Sequence, residues 1–417
     1  MTLPRFFTVK QTFASHRIDD LAGEVTRQLA GAPTDTIAAD DRVAIAVGSR
    51  GIDRIAEITG AVAGYVRSLG AAPYVIPAMG SHGGASEQGQ IATLKSLGIT
   101  AEAIGCPVLA TMDTVELGQT ESGIPLYFDA IAAKSDHLIA INRIKPHTRL
   151  TGSIQSGVSK MLMIGLGNHR GAVAFHQAFR TFDHRLDQVT DQIIPRLIEK
   201  TPFRFGIGIV EDAFDSVGKI QILPPADLLS AEPELLSLAC DWMPQLPFRT
   251  AELLIIDRIG KEISGTGMDT NVIGRKWNDK IAGPDEWPKI DEIYVRSLTE
   301  TTAGNASGIG IAEYTHRRAA EAIDRIKTQI NCVTAAHATA AALPVWFDHD
   351  RQVLEAVTAQ SCTPPDLLRW MWISDTLHLD ELCCSEAYYD EATERDDLQI
   401  TSPPQPMEFD PSGDLQI

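Results

Sequence analysis

The sequence predicts an α/β protein of two α/β domains with an active-site cleft between them, the first domain built on a doubly wound, largely parallel sheet. Three observations carry this. Short β-branched runs alternate with longer helical patterns through residues 1–200, as strands joined by crossover helices do. At 417 residues the chain has room for two or three domains. A proline-marked stretch, Trp242-Met243-Pro244-Gln245-Leu246-Pro247, separates a helical pattern from a new apolar run, Leu253-Leu254-Ile255-Ile256.

Taken in order, residues 43–47 read as a strand and 52–69 as a helix, because Ile52, Ile55, Ile58, Val62, Tyr65, Val66 and Leu69 recur at intervals of three and four and give one buried face. A strand at 74–77, a helix at 86–97 and a strand at 137–141 follow. The boundary near residue 248 divides the chain into an N-terminal cofactor-binding and catalytic domain, 1–247, and a C-terminal domain, 248–417, that closes over it. In the second domain 293–296 reads as a strand, 311–323 and 352–360 as helices, and the end, with Pro403, Pro404, Pro406 and Pro411, as an irregular tail.

Composition excludes several classes of function. With 36 Lys+Arg against 55 Asp+Glu, net −19, and no basic run longer than Arg317-Arg318, the chain lacks the basic footprint that nucleic acids and anionic membranes require. An acidic substrate must instead find a local basic pocket. No basic segment followed by an apolar core opens the chain, and no stretch approaches the roughly 18 apolar residues of a membrane span, so a soluble, cytoplasmic protein is expected. Cysteines at 106, 240, 332, 362, 383 and 384 form no Cys-x-x-Cys pair, which fits neither a disulfide framework nor a zinc ribbon.

The chemistry-bearing residues follow the predicted strands. After 43–47 comes Gly48-Ser49-Arg50-Gly51, and after 74–77 comes Gly80-Ser81-His82-Gly83-Gly84. Turns at the carboxyl ends of parallel strands line the ligand crevice of a doubly wound sheet; either loop alone reads first as an ordinary strand-to-helix turn, and the two from adjacent strands bring the readings level. The strand at 137–141 leads into Asn142-Arg143-Ile144-Lys145-Pro146-His147-Thr148-Arg149, which places His147 in the same crevice as His82 and supplies local positive charge. Ser156-Gly157-Val158-Ser159-Lys160 comes next, then a Gly165-Leu166-Gly167 pair that ends a helix or permits a close approach, then His169 and His176. His176, among Phe175, Ala178 and Phe179, reads more readily as a core histidine than as a metal ligand, and no His-Glu-x-x-His or Cys/His cluster is present.

In their order, Gly80-Ser81-His82-Gly83, Lys145-Pro146-His147, Ser156-Gly157-Val158-Ser159-Lys160 and His176 resemble the nickel-dependent lactate racemase superfamily. The resemblance implies a racemase or epimerase of a 2-hydroxy acid that uses a nickel-pincer nucleotide, the pyridinium-3,5-bisthiocarboxylic acid mononucleotide with nickel. By resemblance Lys160 carries that cofactor, His176 ligates the nickel, Gly83, Ser156 and Gly157 line its site, and His82 and His147 are the acid/base pair. The family's Asp-x-x-Arg pattern after the first strand is absent. Arg50 stands in for its arginine, and Lys261, in the glycine-rich loop 260–269, is the second candidate for the substrate carboxylate. Expected partners are the small 2-hydroxy acid and the cofactor-synthesis proteins that supply the nucleotide, with no nucleic acid or membrane and with homo-oligomer formation left open.

The chemistry asks for such residues. The α-hydrogen of a 2-hydroxy acid is not acidic, and its removal as hydride is easier when a base takes the hydroxyl proton, which a histidine does near neutral pH. A cation holds the carboxylate, bidentately when it is a guanidinium. Two rival functions use the same residues: a metal hydrolase or lyase with His82, His147 and His176 as a three-histidine site, and a non-catalytic nucleotide- or cofactor-binding protein.

Overall fold

The computed structural model describes residues 2–49, 51–178 and 185–416. Arg50 lies outside them, and so does the side chain of His176. The chain forms two compact units, one of residues 14–243 and one in which residues 1–13 join 244–417. The first strand, β1 (Phe6–Gln11), thus belongs with the C-terminal residues, whereas the sequence reading placed 1–247 together.

Residues 14–243 contain α1 (Leu21–Leu29), β2 (Arg42–Val47), α2 (Ile55–Ser68), β3 (Ala72–Pro77), α3 (Glu87–Ser96), α4 (Ala101–Ile104), and a separate antiparallel pair, β4 (Thr114–Gln119) and β5 (Pro125–Asp129). After these come β6 (His137–Arg143), α5 (Gly157–Lys160), α6 (Asn168–Ala178), α7 (Asp187–Lys200), β7 (Phe203–Glu211), β8 (Val217–Leu223) and α8 (Leu228–Trp242). The main sheet has the order β3-β2-β6-β7-β8, parallel except for β8.

Both faces of this sheet are covered, which is why its strands are apolar almost throughout. Val43, Ile45 and Val47 pack with Leu21, Val25 and Leu29 of α1 and with Ile58, Val62 and Val66 of α2. Ala44, Ala46 and Ala140 face the other way, against Val158 of α5, Phe175 of α6, Ile193 of α7 and Leu235 of α8. The alanines leave space for the helix that carries Lys160. Helix α2 begins at Ile55, three residues later than its apolar spacing suggests, because Arg54 takes a left-handed φ of 50° and ends the preceding loop.

In the other unit an eight-stranded sheet runs β12-β11-β10-β9-β13-β14-β1-β15. The strands β9 (Thr250–Ile259), β10 (Lys289–Leu298), β11 (Tyr314–His316), β12 (Val345–Phe347) and β13 (Trp370–Ile373) are parallel; β14 (Glu381–Ser385), β1 and β15 (Leu398–Ile400) complete it with antiparallel pairings. Residues 311–323, expected as one helix, split into β11 and a short helix, Arg317–Ala322, because Tyr314 and Thr315 find partners in Tyr294 and Val295 of β10. The proline-marked tail follows β15 and carries isolated bridges, Gln405 to Phe6 and Phe409 to Leu415. All six cysteines are free thiols, and no helix among the described residues is long and apolar enough to cross a membrane.

Candidate active site

Strand β2 lies between β3 and β6, so the connections leaving β2 and β6 diverge on either side of the Val47 and Ile141 register pair. Ligands of doubly wound sheets bind at such a switch point, beyond the strand carboxyl ends. The sequence motifs all emerge there.

The loop after β3 is held from two sides. Gly80 donates its N–H to the Gly165 carbonyl at 3.0 Å, and the Gly80 carbonyl accepts from the buried Gln90 side chain at 3.0 Å. A side chain on Gly165 would place its Cβ 2.6 Å from the Ala78 carbonyl oxygen, so the close approach of these two segments requires glycine. His82 is exposed at the tip, and its Nδ1 is hydrogen-bonded to Ser49 Oγ from the loop after β2.

The loop after β6 is tied to the lysine segment. Ser156 Oγ accepts the Lys145 N–H at 2.8 Å and donates to the Lys145 carbonyl at 2.7 Å, while Asn142 Nδ2 donates to the Gly157 carbonyl at 2.6 Å. Gln155 Oε1 accepts the His147 N–H at 2.9 Å. The His147 ring turns back on its own loop: Nδ1 accepts the backbone N–H groups of Arg149 at 3.0 Å and Leu150 at 3.1 Å. Arg143, part of the expected positive charge, is ion-paired with the buried Glu211 carboxylate.

Lys160 closes α5 and is followed by a π-helical turn, Met161–Gly165, in which Leu166 donates to the Met161 carbonyl at 2.8 Å. Such turns recur at functional sites because they re-aim side chains. Glu232 of α8, 1% exposed, accepts the Val158 and Ser159 N–H groups at the start of α5. Burial pushes its carboxyl up to about 7. The positive φ of Gly157, 88°, and the absence of a side chain are both required here, since a Cβ would meet Glu232 Oε1 at 2.3 Å.

Helix α6, whose backbone carries His176, starts at Asn168 with φ of 49°. Asn168 Nδ2 donates to buried Asp129 at 2.9 Å, which fixes the helix against the end of β5.

Of the predicted site residues, His82, His147 and Lys160 thus lie on segments that hydrogen bonds link to one another beyond the strands of one sheet. Gly83, Ser156 and Gly157, predicted to contact the cofactor, have contacts within the protein that account for them. A Cβ on Gly83 would lie 2.6 Å from the Gln90 nitrogen, and the Ser156 hydroxyl is engaged as both donor and acceptor. Lys261 lies in the other unit, where its Nζ donates to the Gly265 carbonyl at 2.5 Å and to Asn331 Oδ1 at 3.0 Å. Sequence reasoning missed Glu232, Ser49 and Asp129. Glu232 had a visible signal: it sits in line with Leu228, Leu235 and Leu236 on the apolar stripe of its helix.

In the C-terminal unit His316, Asp350 and Asp414 gather closely enough to suggest metal ligands. Arg296 at 2.7 Å and Arg318 at 3.3 Å already neutralise Asp350, and Arg318 also reaches Asp414 at 3.4 Å, so the group is an ion-pair network.

Residues 37–187, which span this whole set of loops, match the family model of the lactate racemase N-terminal domain. Over those residues the chain is similar to the lactate racemase N-terminal domain. Among solved structures, a Thermotoga maritima protein determined by structural genomics is 13% identical, with a TM-score of 0.52 over 80% of this chain and 84% of that one. The lactate racemase apoprotein from Thermoanaerobacterium thermosaccharolyticum is also 13% identical, with a TM-score of 0.48 over 70% of this chain and 74% of that one. No curated protein sequence matches the chain. The matched residues include β2, β3 and β6 and the loops that bear His82, His147 and Lys160.

Proposed function

We propose that the protein is a racemase or epimerase of a small 2-hydroxy acid, working with a nickel-pincer nucleotide. The observation that carries this is the Gly80 to Gly165 hydrogen bond, which fastens the His82 loop to the helical segment presenting Lys160. An imidazole for proton transfer and an amine for cofactor attachment thereby belong to one connected set of loops at a switch point.

The donor chemistry fits the group. Lys160 offers an amine that can be acylated, and His176 offers an imidazole, a ligand type suited to nickel. The two stand on successive helical segments separated by the π turn. When bound, the nucleotide supplies a hydride acceptor.

The chain's own residues do the rest. His82 and His147 handle the hydroxyl proton and its hydrogen bonding, near the pH at which an imidazole exchanges protons. Arg50 and Lys261 are the candidate anchors for the carboxylate, and Lys145 and Arg149 add positive charge to a chain whose net charge of −19 otherwise opposes an acid. The proteins that build and deliver the nucleotide are its partners on this reading.

The test is a panel of enantiopure 2-hydroxy acids, offered to protein loaded with the cofactor and followed by chiral chromatography. One acid of the panel should be converted to its antipode or epimer. Protein that carries stoichiometric nickel and converts none of them would contradict the proposal.

A further inference from the structure

Ser156 stands at the N-cap position of α5, in extended conformation just before Gly157, and serine is among the residues that best cap a helix there. A capping serine accepts the N–H of the second or third helical residue, here Val158 or Ser159. Ser156 makes neither bond. Its hydroxyl serves the Lys145 backbone instead, accepting the N–H at 2.8 Å and donating to the carbonyl at 2.7 Å, and so clips the loop that bears His147 to the lysine segment.

A residue of another helix takes the capping place. Glu232 of α8 accepts the Val158 N–H, and each of its two oxygens lies 3.2 Å from the Ser159 nitrogen. No cation among the described residues draws the carboxyl there: burial and the hydrogen bonds of Val158 and Ser159 are the influences on it. A buried acid without a cation needs donors, and the amides of a first helical turn supply them. Charged or neutral, the carboxyl keeps an oxygen that accepts these amides. Its place is kept clear by Gly157, whose Cβ would come within 2.3 Å of Glu232 Oε1.

Resting on the functional reading above, we propose that Glu232 is a positioning residue: by capping α5 from α8 it frees Ser156 to hold the His147 loop against the segment that presents Lys160. Without an acceptor at position 232, the Val158 and Ser159 amides reclaim the Ser156 hydroxyl, which turns to its own helix and releases Lys145. Glu232, 1% exposed, thus acts through Ser156 and not on the reacting atoms. The two side chains exchange roles, each satisfying backbone that the other would otherwise have to serve.

Hydrogen–deuterium exchange on the full-length, cofactor-free protein tests the cap. Glu232→Leu, which fills the space without an acceptor, should speed exchange at the Lys145 amide by about tenfold or more, as Ser156→Ala does, while Glu232→Gln stays near wild type. Ser156→Ala, with Glu232 intact, should leave the Val158 and Ser159 amides slow, and this arm stands even if Glu232→Leu does not fold. A Lys145 amide as protected in Glu232→Leu as in wild type overturns the proposal, and so does a first turn of α5 that opens in Ser156→Ala. In the loaded protein Glu232→Leu should lower kcat by about 10- to 100-fold, the scale of a misplaced reacting group, and Glu232→Gln should recover it to within about threefold. Wild-type turnover in Glu232→Leu with the Lys145 amide released overturns the positioning role. If the wild-type protein converts no 2-hydroxy acid, the functional reading fails, and exchange alone decides whether Glu232 holds the cap.

Discussion

Glu232 reaches across from α8 to the first turn of the lysine-bearing helix, where its carboxylate accepts the Ser159 N–H at 3.2 Å. Deep burial raises this carboxyl from 4.5 to about 7, against the hydrogen bonds that favour its charged form. Because the folded value lies above the unfolded one, the folded state holds an extra proton between about pH 4.5 and 7. The group's stabilising contribution is complete below pH 4.5 and is lost as pH rises through 7. Glu232→Gln removes this dependence. The stability of wild type relative to Glu232→Gln should therefore fall by on the order of 3 kcal/mol over that interval, measured by urea unfolding at a series of pH values. A difference that stays constant with pH would show that Glu232 does not titrate there.

Lys160 and His176 are separable by mass. Lys160→Ala should abolish any covalent increment on the intact protein. His176→Ala should retain the organic adduct and lose most of the nickel, as read by metal analysis of the same sample. An adduct mapped by peptide mass spectrometry to another lysine would move the attachment point.

The carboxylate anchor is tested by substitution on both units. If Arg50 holds it, Arg50→Ala should lower kcat/KM by about 2 to 5 kcal/mol of transition-state stabilisation, the cost of removing a desolvated charge partner, and Arg50→Lys should restore only part. A wild-type value for Arg50→Ala together with a loss in Lys261→Ala would assign the anchor to the loop at 260–269.

The C-terminal unit depends on a buried ion pair. Burial pushes the Asp350 carboxyl up, and the hydrogen bonds and charge of Arg296 more than reverse this, so it ends below its ordinary value. Asp350→Ala leaves the Arg296 guanidinium, 5% exposed, without its main partner and should destabilise the fold by about 3 to 5 kcal/mol. Denaturant unfolding checks this, and a loss under 1 kcal/mol would mean that Asp257 and solvent compensate.

The parallel strands of the first unit were legible because burial on both faces makes them short continuous apolar runs bounded by glycine. Helix α2 was legible because its core face repeats at three and four residues. The β1 pairing was not, since Phe7 finds its register partner, Cys384, at the far end of the chain, and no local signal encodes such a pairing. Residues 314–316 read as helix because their apolar spacing fits either period, and β10 decides the matter in three dimensions. At the site, the residue types His82, His147 and Lys160 were visible in the motifs. The unequal hydrogen bonding of the two rings was hidden, because it is made by a distant hydroxyl in one case and by the backbone in the other.

In the proposed reaction the α-hydrogen of a 2-hydroxy acid leaves and returns as hydride while a histidine handles the hydroxyl proton. The most direct measurement uses the acid that the panel identifies, deuterated at its α-carbon, with nickel-loaded protein in ordinary water. Product of inverted configuration should retain the deuterium. Its rapid exchange with solvent during turnover would contradict the account and make the histidines bases toward carbon.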